Sequence, residues 1–395
     1  MSLRKVATRS DGVHPPDPPP APAPVERYQG ALLGCALGDA VGAWAEAKDP
    51  AEAKDYAVYF VREFDFTNVG PHHHGMRMGQ YTDDTQLTRE LMLSLIDEGE
   101  FVPEDFANRI ANAFAKDEIV GYGRATQEAA VKLLDGISWE DSGTPPPRAG
   151  NGAAMRAGPL GMLYYHDAET LLKTAQDQAV ITHKAEMSVA GSVAIAMGTA
   201  MCLNASKLTS GPHERGWWAW LARFVGRNSE EFGRDIDDLA KMVFEGRRKT
   251  KWKAGEGEEY DTVLAWILEG DDHRWSGISP WARSSVLWSF YCLMAHPRDI
   301  WKAIELAIIP GGDVDTTAAM AGTLVGAHIG ITKFPKQALE IVAPLIHDVK
   351  SERYTWDGLT RIANTLHGIV ADQYQERLTA WEIEQAKVIP LDQGK

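Results

Sequence analysis

The sequence predicts an all-α, single-domain protein, on three observations. Apolar residues recur at helical spacing, strand signals are scarce, and three apolar segments are dense in small side chains. Leu87, Leu91 and Leu95 share one helix face, as do Ala321, Leu324, Val325 and His328, because residues three and four apart stack on an α-helix. The small-residue segments are Gly34, Ala36, Gly38 and Gly42; Ala190, Gly191, Ala194, Ala196, Gly198 and Ala200; and Ala318, Ala319, Ala321, Gly322 and Gly326. Glycine weakens a helix unless close packing offsets the cost, so these three segments are expected at a tightly packed centre.

Residues 1–26 form a proline-rich tail, with PPDPPPAPAP at 15–24. Proline removes backbone donors and the stretch has little to bury, so it is expected to be extended and disordered. The folded domain is expected to span 27–372, followed by a helix end and tail over 373–395. Tyr56, Val58 and Phe60 alternate with smaller or polar neighbours and give the best strand signal, which a flap or irregular loop explains nearly as well. The stretch 213–301 holds nine of the thirteen tryptophans. It reads as a peripheral helical layer packed by aromatics, or as a partner surface. No repeat of fixed period is visible.

The chain has 40 Lys+Arg against 55 Asp+Glu, a formal charge of −15. That balance argues against nucleic acid as a partner, because affinity for a phosphate backbone comes mostly from Lys and Arg. No uninterrupted apolar run is long enough to span a bilayer, and residues 1–9 lack a signal-peptide core, so no membrane association is expected. Cys35, Cys202 and Cys292 are isolated thiols without a paired spacing. A reducing, cytoplasmic location is the expectation.

Two acidic motifs carry the chemistry. Tyr81-Thr82-Asp83-Asp84-Thr85 opens one apolar helix, and Gly311-Gly312-Asp313-Val314-Asp315-Thr316-Thr317 opens another. Asp and Thr at a helix start are also ordinary caps. Two close carboxylate pairs exceed what a cap requires, and they repel unless cations sit between them. If Asp83, Asp84, Asp313 and Asp315 meet, their charge of −4 matches two divalent cations. An all-oxygen ligand set suits Mg²⁺ or Mn²⁺ rather than zinc. Two such ions roughly 3.5–4 Å apart can clamp vicinal oxygens of a substrate.

Gly150-Asn151-Gly152-Ala153-Ala154-Met155-Arg156 follows TPPPR and opens a helical stretch. It reads as a diphosphate cradle of backbone N–H groups, or as a plain loop-to-helix turn. His183 lies between two helical stretches and fits a phosphate or ribose contact, or a structural cap. Glu46 ends the first helix before Ala47-Lys48-Asp49-Pro50, as a solvated helix-end carboxylate or the start of a mobile loop. His72, His73 and His74 argue poorly for a transition metal, since adjacent residues do not converge on one ion and no partner ligand is suitably spaced. No Gly-x-Ser-x-Gly elbow is present.

The order GALLGCALGDAVGAWAEA, GQYTDDTQLT, GNGAAMRAGPLGML, THKAEMSVAGSVAIA, IPGGDVDTTAAMAGTLVGAHIG resembles the ADP-ribosylglycohydrolase family over roughly residues 27 to 370. This family includes the dinitrogen-reductase-activating glycohydrolases and the vertebrate ADP-ribosyl-acceptor hydrolases. The resemblance implies an orthogonal helical bundle with a central dinuclear Mg²⁺ or Mn²⁺ site. Carried over by position, the metal ligands fall on Thr82, Asp83, Asp84, Asp313, Asp315 and Thr316. The phosphate loop falls on Gly150, Asn151, Gly152 and Ala153, the histidine near the phosphates on His183, and the flap glutamate on Glu46. The segment near the distal ribose falls on Gly121-Tyr122-Gly123. Thr317 stands where many members have Asn, which leaves the Asp and Thr ligands intact.

The implied reaction is hydrolysis at C1″ of ADP-ribose, with ADP-ribose or an ADP-ribosylated protein as partner. Asp84 or Asp315 is the candidate to position or deprotonate the water, and Glu46 to organise the scissile side. The alternative is a catalytically inactive ADP-ribose binder or structural member of the same fold. The tail and the Trp-rich segment are candidates for docking onto an ADP-ribosylating toxin or a modified target.

Overall fold

The computed structural model describes residues 17–67, 69, 76–205 and 211–388. His72, His73 and His74 lie outside the described residues. Seventeen α-helices and one two-stranded sheet make up the described architecture. One hydrophobic cluster runs from Ala23 to Val370 and unites nearly all of the buried apolar side chains.

Two helices form the centre, Val25–Gly42 and Val314–Ile329. A Cβ built on Gly34 would lie 2.2 Å from the Gly322 carbonyl oxygen, and one on Gly322 would lie 2.0 Å from that of Gly34. Gly30 meets Gly326 in the same way, and Gly38 meets Ala318. The backbones touch directly, as the small-residue segments predict. The third such segment, Glu186–Asn204, packs beside them, with the Gly161 backbone against Ala196. That helix is long and apolar enough to cross a membrane, but 89% of its most apolar 18-residue window is buried inside the protein.

The strand signal at 56–60 is overturned. Residues Pro50–Tyr56 form an α-helix capped by the Asp49 side chain, continued by a π-helical turn over Ala57–Val61. Ala53, Tyr56, Ala57 and Val61 are buried, so helical spacing outranks the alternation seen in the sequence. The sheet lies elsewhere, pairing His347–Asp348 with Ser351–Thr355.

The tail also departs from expectation. Its last residues pack on the domain: Ala23 is buried, Tyr165 Oη donates to the Pro20 carbonyl at 2.9 Å, and His367 Nε2 meets the Ala23 carbonyl at 3.1 Å. An extended proline segment has free carbonyls, and these side chains use them. Residues 1–16 lie outside the described residues. At the other end, Trp356–Val388 is one continuous helix.

Within 213–301, Trp217, Trp218, Trp288 and Trp301 are buried. Trp218 meets Phe290 edge-on at 5.2 Å, and Trp301 stacks on Phe64 at 4.2 Å. Trp220 alone among the described tryptophans of this stretch is a large exposed apolar group. The buried rings pack the interior of the protein. The stretch is not wholly peripheral either. Residues 278–282 lace the 311–313 loop to the 149–151 turn, through Asp313 N to Ile278 O at 2.8 Å and Asn151 N to Pro280 O at 3.0 Å.

Candidate active site

Thr82 occupies the cap position of the helix Asp83–Glu98, and Asp313 that of Val314–Ile329, yet neither side chain caps its helix. The Thr82 hydroxyl instead donates to Asp39 Oδ1 at 2.8 Å. The Thr316 hydroxyl lies 3.4 Å from Asp84 Oδ2 and 3.3 Å from Asp313 Oδ1. A single side chain thus touches a carboxylate from each motif. The capping explanation fails, and the two motifs meet despite their separation of more than two hundred residues.

Asp39, Asp83, Asp84, Asp313, Asp315, Thr82 and Thr316 are all buried. With half-buried Glu46 added, six carboxylates crowd one place, two more than the four the motifs supply. One oxygen each of Glu46, Asp313 and Asp315 lie within 4.8 Å of one another. Asp84 Oδ1 is buried without a hydrogen-bond partner. An orphaned carboxylate oxygen in a cluster of like charges is costly unless a cation completes it. The donor set therefore fits hard divalent cations.

Burial raises every one of these carboxyls. Asp83, Asp84 and Asp315 lie well above the ordinary range, mainly by loss of solvent and then by repulsion from their acidic neighbours. Burial lifts Asp313 to about 6, against the hydrogen bonds from Asn151 and Thr316. Burial lifts Asp39 to about 6 and Glu46 to about 7, the latter with added repulsion from Asp313 and Asp39.

Sequence reasoning missed Asp39. Its carboxylate accepts the amides of Thr82 and Thr85 and both their hydroxyls, the Thr85 hydroxyl at 2.6 Å. One signal was available: Asp39 is the only charged residue between Arg27 and Glu46 in a helix that is otherwise apolar. A lone buried carboxylate needs partners, and it finds them at the start of the helix Asp83–Glu98.

The Glu46 loop is tied down. Ala47 N donates to the Gly312 carbonyl at 2.8 Å, and Gly312 N donates to the Lys48 carbonyl at 3.1 Å. The expected mobile loop is a short connection to the next helix at Pro50, anchored on the second acidic motif. Gly312 has φ +88° and Ile278 lies against it, so only glycine serves at this crossing.

A cavity of about 810 Å³ opens beside the cluster, and Glu46, Asp83, Asp313, Asp315 and Thr316 line it. Gly150, Asn151, Gly152, His183 and Gly123 line it as well. Thr82 and Asp84 are buried and do not line it. Nor does Ala153, which is fully buried and whose carbonyl accepts from Gln178 Nε2 at 2.7 Å. Asn151 Nδ2 donates to Asp313 Oδ2 and to Ser285 Oγ, which joins the glycine turn to the acidic centre. Gly121, at φ +81°, sits against Thr82 and Asp83, while Tyr122 and Trp281 add aromatic walls.

The sequence model of the family described as ADP-ribosylglycohydrolase matches residues 20–376. The ADP-ribosylhydrolase ARH3 of Mus musculus is 27% identical over 357 residues, covering 83% of this chain and 93% of its own. The ADP-ribosylarginine hydrolase Tri1 of Pseudomonas putida (strain GB-1) is 26% identical over 343 residues, covering 84% of this chain and 78% of its own. A solved structure described as an ADP-ribosylglycohydrolase-related protein complex shares the fold with a TM-score of 0.61 at 23% identity, covering 88% of this chain and 98% of that one.

Proposed function

Because the chain belongs to the ADP-ribosylglycohydrolase family, we propose that its acidic cavity hydrolyses the glycosidic bond at C1″ of ADP-ribose, releasing ADP-ribose from a modified arginine or serine side chain. The observation that carries this reading is the Thr316 hydroxyl between Asp84 and Asp313, beside the orphaned Asp84 Oδ1 and in the cavity that the glycine turn also lines.

Thr82, Asp83, Asp84, Asp313, Asp315 and Thr316 would hold two divalent cations, Mg²⁺ or Mn²⁺. Bound there, the cations supply Lewis-acid polarisation and orient the ribose hydroxyls. The protein's own groups divide the remaining work. Asp84 is buried and serves as an anchor, whereas Asp315 lines the cavity and is the carboxylate that positions or deprotonates the attacking water. Glu46 shares that opening and organises the side chain that leaves. The transition state is oxocarbenium-like, with positive charge on the sugar that the surrounding carboxylates favour. The turn Gly150–Gly152 and His183 seat the diphosphate.

The test incubates the protein with arginine-linked and serine-linked ADP-ribosyl substrates, with Mg²⁺, with Mn²⁺ and with chelator, and measures released ADP-ribose. Metal-dependent release from one linkage is expected. Tight binding of ADP-ribose with no release from either linkage would leave the protein as a binder of the same fold.

A further inference from the structure

The guanidinium of Arg156 belongs to the glycine-turn motif but has no part in the chemistry above. It is fully buried, and it begins a chain of hydrogen bonds that ends on the cavity wall. Its Nε donates to Gln178 Oε1 at 3.0 Å and its Nη2 to Thr182 Oγ1 at 2.7 Å, with the Phe106 ring 5.4 Å from the guanidinium carbon. Thr182 Oγ1 lies 2.7 Å from His183 Nδ1. Gln178 Nε2 donates in turn to the Ala153 carbonyl and to Ser192 Oγ, which braces the chain against two helices.

The direction of each bond follows from the donors available. A guanidinium has only donors, so Thr182 Oγ1 accepts from Arg156. The Thr182 side chain is fully buried, and its own hydrogen needs an acceptor to avoid the cost of an unpaired buried hydroxyl. Among the described residues, His183 Nδ1 at 2.7 Å is the acceptor within its reach. Nδ1 therefore holds a lone pair, and the neutral ring carries its hydrogen on Nε2. Burial and the nearby Arg156 hold the imidazole neutral, pushing it down to about 3. The Nε2 edge faces the glycine turn: a Cβ built on Gly150 would lie 3.2 Å from Nε2, and one on Gly152 2.8 Å from Cε1.

We infer that Arg156 and Thr182 are positioning residues that hold His183 in its Nε2–H form, so that it offers a fixed neutral donor to a diphosphate oxygen seated on Gly150–Gly152. The inference rests on the reading of that turn as a diphosphate cradle. It also accounts for the two glycines, since any side chain there would displace the imidazole edge.

Long-range ¹H–¹⁵N NMR of the histidine rings in the full chain tests it, with His183 assigned by its loss in His183→Gln. The ligand-free protein is expected to show His183 as Nε2–H, with that nitrogen shifting when ADP-ribose is added. Thr182→Val is expected to mix or reverse the tautomer and to weaken ADP-ribose binding about tenfold, and Thr182→Ser to restore both. An Nδ1–H tautomer in the ligand-free protein, or an unchanged tautomer in Thr182→Val, overturns the inference. Should the valine variant not fold, the ligand-free tautomer decides. An Nε2–H ring that ADP-ribose leaves unmoved while binding overturns the cradle reading instead.

Discussion

The Asp39 carboxylate accepts the Thr82 hydroxyl at 2.8 Å and the Thr82 amide at 3.0 Å, which locks the first helix to the start of Asp83–Glu98. The same hydroxyl lies 3.4 Å from Asp84 Oδ2, so Asp39 fixes Thr82 beside the first acidic pair. Asp39→Asn replaces part of this acceptor with a donor facing other donors. Cation affinity, measured by calorimetric titration, is expected to fall by about 10- to 100-fold, the usual effect of losing a group that orients a metal ligand. Unchanged affinity would reduce Asp39 to a structural tie.

Asp315→Asn keeps the shape of a side chain that lines the cavity but removes its basicity. Released ADP-ribose is expected to drop by at least about a hundredfold, within the range for loss of a general base. The cation-free melting temperature is expected to hold or rise, because one charge leaves a crowded buried cluster. A variant that turns over normally would exclude Asp315 from the reaction.

The raised carboxyls predict a pH dependence of a definite sign. Asp39 and Asp313 move up to about 6 and Glu46 to about 7, so the cation-free fold holds protons more tightly than the unfolded chain. Their contribution to stability is complete below the ordinary carboxylate range and is lost as pH rises through about 6 to 7. Cations displace those protons. Melting curves from pH 5 to 8 should therefore show stabilisation by Mn²⁺ or Mg²⁺ growing with pH; a gain independent of pH would contradict the ligand set.

Gly34→Ala tests the backbone contact at the centre. The added methyl would lie 2.2 Å from the Gly322 carbonyl oxygen, and the helix Val314–Ile329 cannot yield without moving the acidic motif at its start. A loss of about 2–3 kcal/mol in urea unfolding is expected. Gly368→Ala is the control: it lies in a helix with open space around it, so a gain of up to about 1 kcal/mol is expected from helix propensity alone.

Much of the site was legible because the relevant residues carry more charge than their local role demands. Asp83-Asp84 and Asp313-x-Asp315 are too acidic for helix caps, and the structure brings them together around Thr316. Other features resist a linear reading. Tyr56, Val58 and Phe60 alternate like a strand, but burial of Ala53, Tyr56, Ala57 and Val61 made the segment helical. The loop after Glu46 reads as free, yet Gly312 holds it from the far end of the chain. The direction of the Thr182 hydroxyl depends on Arg156, twenty-six residues away.

The sequence by itself determined the all-helical class, the three small-residue segments and the two acidic motifs, because helical periodicity and helix starts are local properties of the chain. Only the tertiary structure decided that Asp39 joins the four aspartates, and that Asp315 rather than Asp84 lines the cavity. It also seated the end of the proline-rich segment on Tyr165 and His367. These outcomes depend on which backbones approach and which oxygens are left without partners. Both are set by packing between segments that are remote in sequence.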